Sequence, residues 1–338
     1  MMLPHRRSTI RLLVASITLF ILFVTLGCGP QDYEKPIQGF QDASKRVITA
    51  ERGFLANENT IEQDIYINQM VFEQKRFGPK DIDAQTIITP EEIKLRTGAL
   101  DALSKYTVSL ATLASGKAES SVGDDCKDAS DKLKDLANDA GSRSATDKSA
   151  DKFDSKFSGI AGAAATAIGA VAKLILDHKA STAIKASVNS TDKDVTALIE
   201  LIGTDAQLSY ERQRTRLSDY SMQLFNDYNC EVGTEPPSGS NGGAAGGVQC
   251  RKTQGDTASL LALADRIKAL RADQATLAEA NPAPAIMKMK KAHEDLVKYV
   301  NAPSTPQNLE QLKDSVRSFI AAAQPLGDAV QQLLSNGK

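Results

Sequence analysis

Apolar residues recur along most of this 338-residue chain at alternating spacings of three and four, and nowhere at a spacing of two between turn residues. The first spacing holds one face of an α-helix against a neighbour, whereas a half-buried strand alternates at every second residue. The pattern predicts an all-α fold, an elongated antiparallel helical bundle of about six to eight helices with no sheet. Composition agrees: aromatic residues make up only 5%, Trp is absent, and Ala and Leu, the strong helix formers, are the commonest residues.

The seams can be followed residue by residue. Phe40, Ala43, Val47, Ala50 and Phe54 form the first, continued less regularly by Ile61, Ile65, Met70 and Phe72 until Gly78-Pro79, with a loop over 78–88. Thr89-Pro90-Glu91-Glu92 reads as a helix start: a Thr cap, Pro at the first helical position, and a Glu able to bond back to the cap amide. Its seam is Ala99, Leu103, Tyr106, Leu110 and Leu113, and Gly116 ends it. Val122, Cys126, Ala129, Leu133 and Leu136 form another, followed by a loose connection from Ala140 to Lys148. Ser190-Thr191-Asp192 predicts a second capped start, leading through Val195, Ile199, Ile202, Leu217, Tyr220 and Leu224.

Residues 231–249 (EVGTEPPSGSNGGAAGGVQ) are a Gly/Ser/Pro linker loop. Beyond it, Leu260, Leu263, Ile267, Leu270 and Leu277 form a seam up to Asn281-Pro282, and Ile286, Met289, His293, Leu296 and Val300 form the next. Thr305-Pro306 opens a last helix, expected to be interrupted at Pro325.

The first segment lies outside this pattern. Met1 to Arg11 holds three arginines and no acid, Leu12 to Leu26 (LLVASITLFILFVTL) is a continuous apolar run of signal-peptide length, and Gly27-Cys28 follows. This arrangement resembles the precursors of bacterial lipoproteins; their preferred Leu and small residue at the third and second places before the Cys are Thr25 and Leu26 here. The resemblance implies cleavage before Cys28, lipidation of its thiol, acylation of the new amino group and stable anchoring by several chains. With Gly29 and not Asp after the Cys, it also implies transport to the outer membrane, with the protein facing the periplasm or the cell surface. The expected organisation is a signal peptide over 1–27, a tether over 28–36, a helical bundle over 37–230, the linker over 231–249, and C-terminal helices over 250–338 packing on the same bundle.

One stretch stands apart by its lack of charge: FSGIAGAAATAIGAVAKLILDH, residues 157–178. Its larger apolar residues, Ile160, Ile168, Val171, Leu174 and Ile175, fall on about half the helix circumference, with Gly162, Gly169 and alanines elsewhere. Small residues let helix backbones approach closely, which suits a buried helix or a membrane pair. A committed span needs about twenty strongly apolar residues, whereas Ala and Gly gain little from hydrocarbon and Lys173 sits near the end of the run. A core helix is the main expectation. The alternative is conditional insertion over 157–176, since long helices around one mid-chain apolar stretch resemble, in layout alone, the α-helical pore-forming toxins.

The polar residues offer little convergent chemistry. The formal charge is −2, and loss of Arg6, Arg7 and Arg11 with a leader makes it −5; an acidic surface gives no reason to expect nucleic acid. His5, His178 and His293 are isolated, so no metal or cofactor is expected. No nucleophile elbow, phosphate loop or dinucleotide fingerprint occurs, and Arg212, Arg214 and Arg216 spread over different faces of a helix as a solvated or salt-bridged set. Cys230 and Cys250 flank the linker, and a bridge between them closes a ring of about twenty residues, on the order of 3 kcal/mol in the chain-entropy model. Cys126 occupies a seam position as a small hydrophobe. The expected role is non-enzymatic: a structural or protein-interaction module, bound to the membrane through its lipid and to another envelope protein.

Overall fold

The computed structural model describes residues 34–73, 75–116, 120–146, 152–177, 180–233, 257–303 and 305–336. Among them the chain is all helix and turn, with no strand. In chain order the helices are α1 (Glu34–Phe72), the five-residue α2 (Pro79–Asp83), α3 (Pro90–Ala114), α4 (Ser120–Thr146), α5 (Lys152–Asp177), α6 (Ala180–Val232), α7 (Thr257–Glu279), α8 (Ala283–Asn301) and α9 (Pro306–Asn336).

The start of α3 follows from its sequence. The Thr89 hydroxyl accepts from the Glu92 amide at 3.2 Å, and the Glu92 carboxylate accepts from the Thr89 amide at 2.7 Å, so two amides at the helix end are satisfied reciprocally. At the other end Gly116 takes φ +68°, the left-handed conformation that lets the chain turn away.

Several expected boundaries move. The tether shortens, because Glu34 to Pro36 already belong to α1; Pro36 lies in the first turn, where a missing N–H costs no helical bond. The expected loose connection after Ala140 is helical through Thr146, and the linker starts later than position 231, because α6 runs to Val232. Ser190-Thr191-Asp192 caps nothing: α6 is continuous across it, and the Thr191 hydroxyl donates back to the Ser187 carbonyl at 2.8 Å. Pro325 does not interrupt α9. Both Pro325 and Ala321, whose carbonyl loses its helical partner, are exposed, so water can satisfy that oxygen.

The α1–α3 and α3–α4 pairs run antiparallel: Arg52 meets Asp101 while Asn59 meets Ile88 just before α3, and Gly98 meets Leu136 while Ser109 meets Cys126. Helix α1 also has two parallel neighbours that sequence order does not suggest. Against α9, Gly39 meets Val316 and Gly53 meets Val330; against α6, Glu58 meets Arg212 and Glu62 meets Arg216. Phe40, Tyr106, Leu110, Leu198, Leu296 and Phe319 are among the side chains that close the core between these helices.

Candidate functional site

Cys28, Cys250 and His178 lie outside the described residues, so the lipidation site and one half of the expected bridge are not located. Cys230, on the last turn of α6, is buried and disulfide-bonded. Cys126 on α4 keeps its thiol, is 1% exposed and lies against the Ser109 hydroxyl of α3.

The uncharged stretch forms α5 and packs chiefly against α4 and α6. Phe157, Ala161, Ala164, Ala165, Ile168, Val171 and Ala172 are buried, while Ile160, Gly162 and Gly169 are half-buried. Leu174 and Ile175 lie on the same helix, but their side chains are outside the described ones. Small residues bring α4 and α5 close together. The Ser130 hydroxyl donates across the gap to the Ala165 carbonyl at 2.7 Å, and a Cβ added at Gly169 would lie 2.9 Å from that hydroxyl. Among the described residues no helix is long and apolar enough to cross a membrane.

Two buried polar groups were not expected as sites. The first gathers around His293 of α8, 0% exposed, whose Nε2 lies 2.9 Å from the Tyr106 hydroxyl of α3. Its Nδ1 faces the Asp192 carboxylate of α6 at 3.7 Å. Nδ1 makes no hydrogen bond among the described residues, but the negative charge beside it favours the ring proton on that nitrogen, which leaves Nε2 to accept from Tyr106. Burial lowers the His293 pKa to about 4, against a smaller upward pull from Asp192, and burial pushes that of Tyr106 well above its ordinary value. Both groups are neutral near pH 7. The row resembles a proton relay in order only, because ring and phenol are sealed from solvent.

The second joins α1, α3 and α6. Arg96 of α3 grips Asp205 of α6 with two parallel bonds of 2.8 and 3.0 Å, and Arg212 of α6 pairs with Glu58 of α1, which also accepts from Ser209 at 2.8 Å. Arg216 pairs with Glu62 one turn on, at 2.7 Å, so two of the three arginines singled out in sequence bind α6 to α1; Arg214 is exposed. A small cavity beside Arg96 and Asp205 is lined also by Glu51, Leu55, Ile202 and Ser209. Glu51 is 4% exposed, and its Oε1 has no hydrogen-bond partner among the described residues.

This network left a trace in the sequence. Glu51 and Glu58 each stand four places after the core residues Val47 and Phe54, so an acid occupies positions where the seam asks for an apolar side chain. An open groove of about 760 Å3 runs between α3 and α4, with Lys94, Lys105 and Lys132 interspersed with Asp128, Asp135 and Asp139. Its mixed charges favour neither a polyanion nor a cation. Among the described residues no three His, Cys, Asp or Glu side chains are grouped to hold a metal ion. No family model, no curated protein and no solved structure matches this chain.

Proposed function

We propose that the chain is a lipid-anchored helical protein of the cell envelope, held in the outer membrane through Cys28 and acting, without catalysis, as a structural or interaction module for another envelope protein. The observation that carries this reading is the order of features at the start of the chain: arginines, an uninterrupted apolar run, Gly27-Cys28, and then a helix from Glu34. Six residue steps from Cys28 to Glu34 reach at most about 20 Å, so a lipid on the sulfur keeps the beginning of α1 close to the bilayer. Helix α1, at 39 residues, then extends for about 58 Å. The shared far end of α1 and α6 carries Val71 and Val232, which are 62% and 43% exposed and available to a protein partner.

The test is incorporation of labelled palmitate in a diderm bacterium, comparing the wild-type chain with Cys28→Ser. Label in the wild type and none in the variant supports anchoring; equal label, or none in either, contradicts it. Crosslinking in intact envelopes from Val71 or Val232 then asks for the partner: one protein captured reproducibly by the wild type and lost in Cys28→Ser fits the interaction role.

A further inference from the structure

Each charged group in the α1–α3–α6 junction has a partner except one. Three carboxylates, Glu51, Glu58 and Asp205, share the space with two guanidiniums, Arg96 and Arg212. Arg96 is committed to Asp205 in a bidentate pair, and Arg212 to Glu58. Arg52, the next cation on α1, points outward to the exposed Asp101 of α3. No charged group from α8 or α9 lines the cavity. Arg96 lines the same cavity but is taken up by Asp205, so Glu51 Oε1 has no hydrogen-bond partner among the described residues, while the like charge of Asp205 acts on it. A buried carboxylate without a cation or sufficient donors is strongly disfavoured, whereas the protonated acid is neutral and can be buried at little cost.

We propose that Glu51 is a proton-binding site, that its protonated form fastens α1 to α3 and α6, and that loss of this proton loosens the junction. Burial, reinforced by the Asp205 charge, raises the Glu51 pKa from 4.5 to about 8, in keeping with that geometry. The cavity leaves room for about one water, enough to bridge the neutral acid but not to hydrate an anion. The linkage follows in sign. Between pH 4.5 and about 8 the folded chain holds a proton that the unfolded chain has released, so stability falls as pH rises, by about tenfold in the folding constant per unit.

Two other buried groups titrate lower. Asp227, raised to about 6 by burial and by the charges of Glu231 and Glu73, and His293, whose unfolded form takes up its proton around pH 6.5, complete their changes only near pH 7.5, and burial raises the Glu58 pKa as well. From pH 6.5 to 8 Glu51 is therefore isolated by the difference between the wild type and Glu51→Gln, since the variant keeps Asp227, His293 and Glu58.

The test uses denaturant unfolding of the full mature chain across that window, with infrared spectra of the folded protein at pH 7. The wild type should lose about fifteenfold in its folding constant from pH 6.5 to 8, the loss flattening as pH nears the folded pKa, and show a protonated-carboxyl band. Glu51→Gln should remove both the loss and the band, while Glu58→Gln should retain the band. An unchanged pH slope in Glu51→Gln, or a band that persists there, would overturn the assignment. Should Glu51→Gln fail to fold, carbon NMR of the wild-type chain with labelled glutamate side chains decides: one glutamate titrating above about pH 7 is expected, and all of them titrating below 6 would overturn it.

Discussion

At the scale of single residues, His293 and Tyr106 illustrate how a polar pair is kept inside a core. Removing the phenol hydroxyl with Tyr106→Phe leaves Nε2 of a sealed imidazole without its donor, and the expected cost is about 1–3 kcal/mol in urea unfolding at pH 7. The imidazole also makes stability depend on acid. Its pKa is lowered from 6.5 to about 4, so between those values the unfolded chain takes up a proton that the folded chain refuses, and stability rises with pH. Compared at each pH, the wild type should gain on a Tyr106→Phe/His293→Leu variant from about pH 4 to 6.5 and show no further gain above it. His293 was readable in the sequence as a seam residue. Its partners were not, because Tyr106 and Asp192 come from helices 187 and 101 residues away in the chain, measured from His293.

At the scale of elements, most helices could be read from their seams. Ile286, Met289, His293, Leu296 and Val300 are all buried as their spacing requires, and the capping box at Thr89 fixes the start of α3. The errors share one cause: a local signal competed with a tertiary one. Ser, Thr and Asp favour helix starts when isolated, but a hydroxyl can also bond the carbonyl four residues back inside a helix. Thr191 does so, buried against its neighbours. Pro325 is tolerated because its side of α9 meets solvent.

The α4–α5 hairpin offers the clearest test of packing. A larger residue at Gly169 would enter the space of the Ser130 hydroxyl, so Gly169→Val should destabilise the fold by about 1–3 kcal/mol. Cysteines at Gly141 and Ser158 would place their Cβ atoms about 3.7 Å apart, within disulfide range. If α5 is a permanent core helix, liposome leakage should be absent both with this lock closed and with it reduced. Leakage that appears only on reduction would instead favour release of α5 into the bilayer.

At the scale of the molecule, the parallel contacts of α1 with α6 and α9 had no visible trace in the sequence, since periodicity marks which face is buried but not which helix covers it. Those contacts set the body's polarity: the Glu34 end faces the lipid anchor of the proposed function, and the shared end of α1 and α6 points away. Cys230 sits near that far end, on the last turn of α6. Non-reducing peptide analysis of the mature chain is expected to find Cys230 joined to Cys250, with Cys126 modified by alkylating reagents only after unfolding, because its thiol is buried. Intact and tandem mass spectrometry of the protein extracted from the envelope tests the central claim most directly. The account predicts a first residue Cys28 carrying a thioether-linked diacylglycerol and an acylated amino group; a chain that retains its first 27 residues, or begins elsewhere with an unmodified Cys28, would contradict it.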